Sequence, residues 1–153
     1  MKKKICLFII LLFSTDTFAH SNHYKGIVKI EMDVIRNGKI IGYSNYFFEH
    51  DNNKMTVKNY TKFNVDLFGV SIFSILGEAT EVYEDNKLIY FKSNTFQNNK
   101  EKFVNLKFDK KSKKFIINGS SFVGEASTDC VIGNLWNHKI LQANKQISPL
   151  SGS

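Results

Sequence analysis

The sequence predicts an all-β domain, a strongly curved antiparallel sheet of hairpins that forms an incomplete barrel or a half-open sandwich. Three observations point there. Apolar and polar residues alternate over most of the chain, the period of two that places every second side chain on one face of a strand. The alternating stretches are joined by short runs of Asn, Asp, Gly and Lys, which suit the left-handed backbone of tight hairpin turns. Fourteen phenylalanines stand against a single proline, a composition that suits a sheet core or an apolar cavity and argues against disorder. The expected curl comes from the length of the strand patterns, which have to bend or bulge.

The first nineteen residues read differently. Lys2, Lys3 and Lys4 precede a nine-residue apolar run, Ile5 to Phe13, followed by a short polar stretch ending Thr17-Phe18-Ala19. This is the layout of a secretory signal peptide, too short in its apolar part to span a bilayer, with cleavage expected after Ala19. The competing reading is an uncleaved amphipathic anchor. Cleavage would leave residues 20–153 as one β domain, periplasmic or secreted, with no transmembrane segment. It would also remove three lysines and Asp16, lowering the net charge from +7 to +5. Cys130 would then be the remaining cysteine, so no internal disulfide is expected.

Taken in order, Tyr24 to Val34 alternates cleanly, and Arg36-Asn37-Gly38-Lys39 supplies a hairpin turn to a return strand over Ile40 to His50. Asp51 to Lys54 turns the chain into Met55 to Leu67, a long strand with a break expected at Phe68-Gly69. Val70 to Leu76 is densely apolar. A helix competes there, but its β-branched residues and the neighbouring glycines favour a strand. Gly77 marks a bulge or a close backbone approach. Glu78 to Glu84 continues extended, Asp85-Asn86 turns, and Leu88 to Ser93 leads back, with Ser93 to Lys100 a loop or tight hairpin. Phe103 to Phe108 and Phe115 to Ile117 flank a basic turn at Asp109 to Lys114. Residues 125–153 lose the alternation and read as an irregular or short-helical tail.

Some of these pieces resemble a bacterial exported family known only as a domain of unknown function. Tyr24, Gly26 and Val28 with Asn37-Gly38 and Ile41-Gly42 resemble its opening hairpin. Tyr83 to Leu88 followed by Ser93-Asn94-Thr95 resembles its central turn, and Trp136-Asn137 its Trp-Asn element. The resemblance implies an exported β-sheet domain of undefined activity. Because that family continues with further strands beyond Trp-Asn, it also implies a chain truncated at its C-terminus and an exposed sheet edge open to a partner.

No motif names a reaction. Cys130 with His138 eight residues on, and Asp129, Asn134 and Asn137 nearby, offers the residue types of a thiol nucleophile with base and orienting group. It is a weak catalytic pair without a local signature, and the alternative function it supports is a cysteine-dependent hydrolase or acyltransferase. His20 and His23 fall short of the three or four ligands zinc needs, and neither a metal nor another cofactor is expected. Glu78, Glu81 and Glu84 make no convincing glycosidase pair. Nucleic acid is excluded as a partner by the lack of a stacking motif and by the expected compartment. The function the composition favours is non-enzymatic: an envelope protein binding a lipid, a small apolar ligand or a partner segment, with Phe63, Phe73, Ile75 and Trp136 as the expected lining.

Overall fold

Five of the hairpin connections are two-residue turns, and their chemistry sets the architecture. Asn37-Gly38, Asn52-Asn53, Phe68-Gly69, Asp85-Asn86 and Asn98-Asn99 each join consecutive strands, with positive φ at the first residue of every pair. Turns of this twist match the twist of the strands they join, so each strand returns beside its predecessor. The computed structural model describes residues 24–153 in this way; the leader pattern, His20 and His23 lie outside them. The strands are β1 (Lys29–Arg36), β2 (Lys39–Asp51), β3 (Lys54–Leu67), β4 (Val70–Glu84), β5 (Lys87–Gln97), β6 (Lys100–Asp109), β7 (Lys114–Gly119) and β8 (Val123–Ala126), paired in sequential order as one eight-stranded antiparallel sheet.

The expectation of a barrel or half-open sandwich is overturned. The sheet is open, with β1 and β8 as its unpaired edges, and it neither closes nor curls strongly. Bend is absorbed locally, at irregularities between Val34 and Ile35, Val65 and Asp66, and Val82 and Tyr83. The apolar face that a barrel would have turned inward is covered instead by residues 127–153. These contain two short parallel strands, β9 (Val131–Ile132) and β10 (Gln146–Ile147), and a 3-10 helix over His138–Leu141. An open sheet with one face covered needs no closure to bury its aromatics.

The register assigns the faces. Phe48, Val57, Glu81 and Phe91 stand in one row across β2 to β5, with Leu106 and Ile117 continuing it on β6 and β7. All six are buried. On this inner face, one cluster gathers Phe91, Val104, Leu106, Phe115 and Ile117 beneath Ile132 and Ile147. A second gathers Tyr46, Phe48, Met55, Val57 and Tyr83 beneath Trp136. The covering chain lies close against the sheet: a Cβ on Gly119 would collide with the Ser151 carbonyl oxygen, so only glycine admits it there. The Ser93 hydroxyl donates to the Pro149 carbonyl at 2.5 Å, and the Ser121 N–H to the Ser151 carbonyl at 3.1 Å.

Beyond the row of Asn59 and Thr61, the inner face of β3 and β4 is uncovered. Gly77, in the row of Thr61, sits without a bulge opposite Thr95, whose hydroxyl would lie 2.7 Å from an added Cβ. Among the described residues, no helix is long and apolar enough to cross a membrane.

Candidate functional site: a buried carboxylate beside a lysine-rimmed cavity

Alternation along β4 puts Ala79, Glu81 and Tyr83 on the inner face, which leaves an acid in an apolar row. Glu81 is 2% exposed, and no cation among the described residues pairs with it. Three neutral donors converge on it. Asn134 Nδ2 and Trp136 Nε1 reach Oε1 at 2.6 and 2.7 Å, and the Tyr83 hydroxyl donates to Oε2 at 2.5 Å. Burial raises the Glu81 carboxyl above the ordinary carboxylate range, and the three donors oppose that rise without cancelling it. Burial and the neighbouring Glu81 charge push the Tyr83 phenol well up, against a hydrogen bond with the Asn137 side chain. Asn137 in turn accepts the Lys139 N–H at 3.1 Å and caps the 3-10 helix. A single carboxylate thus ties Asn134, Trp136 and, through Tyr83, Asn137 to the sheet.

The aromatic side chains around this knot are packed edge to face. Trp136 meets Tyr24, Phe48 and Tyr83 with centroids 4.9, 5.3 and 5.9 Å away. The Tyr24 hydroxyl donates to the Trp136 carbonyl at 2.5 Å.

Tyr83 and Asn137 form one wall of a cavity of about 750 Å³ between the covering segment and the turns after β4 and β6. Its apolar lining includes Leu88, Phe108, Phe115, Val131 and Ile132. Lys87, Lys110, Lys113 and Lys139 also line it, with Glu84 and Asp85. None of the four lysines forms an ion pair among the described residues. Burial holds the Lys139 amine below its usual value.

The residues singled out in the sequence are distributed as follows. Phe63, Phe73 and Ile75 share the inner face with Trp136, and the Phe63 and Phe73 rings lie 5.9 Å apart. Phe63 and Ile75 sit six residues along the strands from the row of Val57 and Glu81, about 20 Å away, and Phe73 lies two residues further. Between them runs a polar row in which Ser44, Asn59 and Thr61 bond to one another. Parity along the strands groups Phe63, Phe73 and Ile75 on one face; Trp136 comes from the covering segment, and distance and the polar row part it from the other three. Cys130 lines the cavity wall. Burial and the charge of Asp129 raise its thiol above the ordinary value, which disfavours the thiolate. His138 is engaged elsewhere, with its ring 6.3 Å from that of Tyr24 and Nδ1 3.3 Å from the tyrosine hydroxyl. Among the described residues no group of three or more His, Cys, Asp or Glu side chains could hold a metal ion.

Residues 32–153, most of the described chain, match the family described as domain of unknown function DUF6134. The chain belongs to that family. No curated protein and no solved structure matches it. The DUF6134 match takes in the Glu81 knot, the cavity and the whole covering segment, and leaves out Tyr24 and the first residues of β1.

Proposed function

We propose that this DUF6134 chain is an exported, non-catalytic binding protein whose cavity holds an amphipathic ligand. The observation that carries the reading is the cavity itself: about 750 Å³, with apolar walls and four lysines that have no carboxylate partner among the described residues. A pocket of that size suits a drug-sized or single-chain lipid molecule. Its apolar walls would take the tail, and the lysines an anionic head. Export is supported by the charged, apolar and Thr-Phe-Ala segments of residues 1–19. Catalysis finds less support. The raised Cys130 thiol is a poor nucleophile, and His138 is held by Tyr24.

Native mass spectrometry of protein recovered from the exported fraction tests the reading. A mass above that of the polypeptide, lost on denaturation and reduced in Lys139→Glu, is expected. A bare polypeptide that also fails to take up a fluorescent fatty acid would refute it. An N-terminus at His20 is the expected mark of export, and an intact Met1 in the mature protein would remove that part.

A further inference from the structure

β3 and β4 stay paired beyond the points where their ladders with β2 and β5 end. The pairing of β2 with β3 ends at Gly42 opposite Phe63, and that of β5 with β4 at Gln97 opposite Ile75. The ladder between β3 and β4 continues to Leu67 opposite Val70. Four further residues of β3 therefore run about 13 Å past the end of β5, while on the other side β2 continues to Lys39 beside β1 without pairing to them. The projecting tip carries Leu67, Phe68, Val70 and Ile72, all exposed, and Phe68 is 97% exposed.

Phe68 is anomalous for its position. It holds φ 51° at the first residue of a two-residue turn, where the other four such turns place Asn or Asp. A bulky side chain at positive φ is strained, and a fully solvated phenyl ring gains nothing from the fold in return. Strain of this kind, kept at an exposed tip, points to a contact made outside the chain.

The surroundings indicate what that contact is. Ile35 and Ile40, both exposed, pair one position behind Arg36 and Lys39 in the β1–β2 hairpin at the same end of the sheet. Behind the β3–β4 tip lie Lys62 on β3 and Lys100 and Lys102 on β6, with Arg36 and Lys39 flanking the β1–β2 turn, against Asp66 and Glu101. Apolar residues leading and basic residues following is the arrangement of an interfacial membrane contact: the ring and aliphatic chains enter below the headgroups, and the cations stay level with them. We propose that the β3–β4 hairpin tip is a membrane-docking element that inserts Phe68 and its apolar neighbours into an anionic lipid surface. It lies at the opposite end of the sheet from the turns that border the cavity, so docking and ligand binding are separable.

Sedimentation with phosphatidylcholine vesicles containing a quarter phosphatidylglycerol tests this on the exported full chain and on Phe68→Asn. The two share every residue outside the turn. Because Asn suits the positive φ, the variant is expected to fold with a melting temperature equal to or about 3 °C above the parent. Its vesicle affinity is expected to fall at least about tenfold, the loss of one buried phenyl ring. Phe68→Trp supplies a direct readout, a blue shift of tryptophan emission on adding vesicles above the constant signal of buried Trp136. No binding by the parent, equal binding by Phe68→Asn, or an emission spectrum of Phe68→Trp that vesicles leave unshifted each overturns the proposal. Equal binding by Phe68→Asn would assign the affinity to another surface, such as the lysines of the β6–β7 turn.

Discussion

Removing the Glu81 carboxylate is the sharpest perturbation of this fold. In Glu81→Ala, Asn134 Nδ2, Trp136 Nε1 and the Tyr83 hydroxyl all lose their acceptor in a region closed to water. Each stranded donor costs about 1–3 kcal/mol. Allowing one of the three to find a new partner, the loss comes to about 2–6 kcal/mol, a large share of the roughly 5–15 kcal/mol typical of a domain. Glu81→Gln keeps the oxygen that serves Asn134 and Trp136 and turns only the Tyr83 contact around, so about 1–2 kcal/mol is expected. The two variants also differ from the parent in pH dependence. The folded Glu81 carboxyl is raised, so it binds its proton more tightly folded than unfolded. Its proton-linked contribution is therefore fully present below the unfolded carboxyl value and is lost as the pH rises through the folded one. Urea unfolding of parent and Glu81→Gln from pH 4 to pH 8 should show the parent's advantage shrinking as pH rises. An advantage that grows with pH would mean that the donors outweigh burial, and that result, or a loss below about 1 kcal/mol in Glu81→Ala, would refute this account of Glu81.

Other perturbations follow from the same geometry. Gly119→Ala should cost at least about 1–3 kcal/mol, because the Ser151 carbonyl has to move out of the way of the new methyl, and hydrogen exchange should show residues 127–153 losing protection first. Cys130 should react with iodoacetamide at pH 8 a few-fold more slowly than an unstructured cysteine, since burial and Asp129 raise its thiol. A faster reaction would reopen a nucleophilic role. Trp136→Phe keeps the ring packing but strands one Glu81 bond, and a melting temperature lowered by several degrees is expected.

The hairpins were legible because their turns announce themselves: Asn37-Gly38 and Asp85-Asn86 are residues that accept positive φ, and they lie where the alternation breaks. Phe68-Gly69 was read as a break, which it is, although a phenylalanine gives no turn signal of its own. The barrel expectation rests on long strands having to curl; register irregularities take up the bend, and residues 127–153 cover the apolar face instead. Residues 127–153 have no periodicity because they pack as an irregular strap whose order comes from contacts with Gly119, Ser93 and Glu81, all remote in sequence. In the sequence Glu81 is one of three nearby acids, with Glu78 and Glu84. Its parity with Ala79 and Tyr83 was the available signal: an acid in an apolar row is either solvated or held, and this one is held. Cavity lining was illegible for a similar reason, since its wall joins two turns to the strap and no periodicity spans them.

Closure of both aromatic clusters by one late segment bears on how the chain acquires its structure. Hairpins between consecutive strands bring together residues close in sequence, so the sheet can assemble rapidly and in pieces. Yet Phe91, Leu106 and Ile117 on one side, and Phe48 and Val57 on the other, stay wet until Ile132, Trp136 and Ile147 have arrived. Cooperative stability therefore comes only with residues 127–153, and an elongating chain lacking them carries a bare apolar face that holdase chaperones can grip.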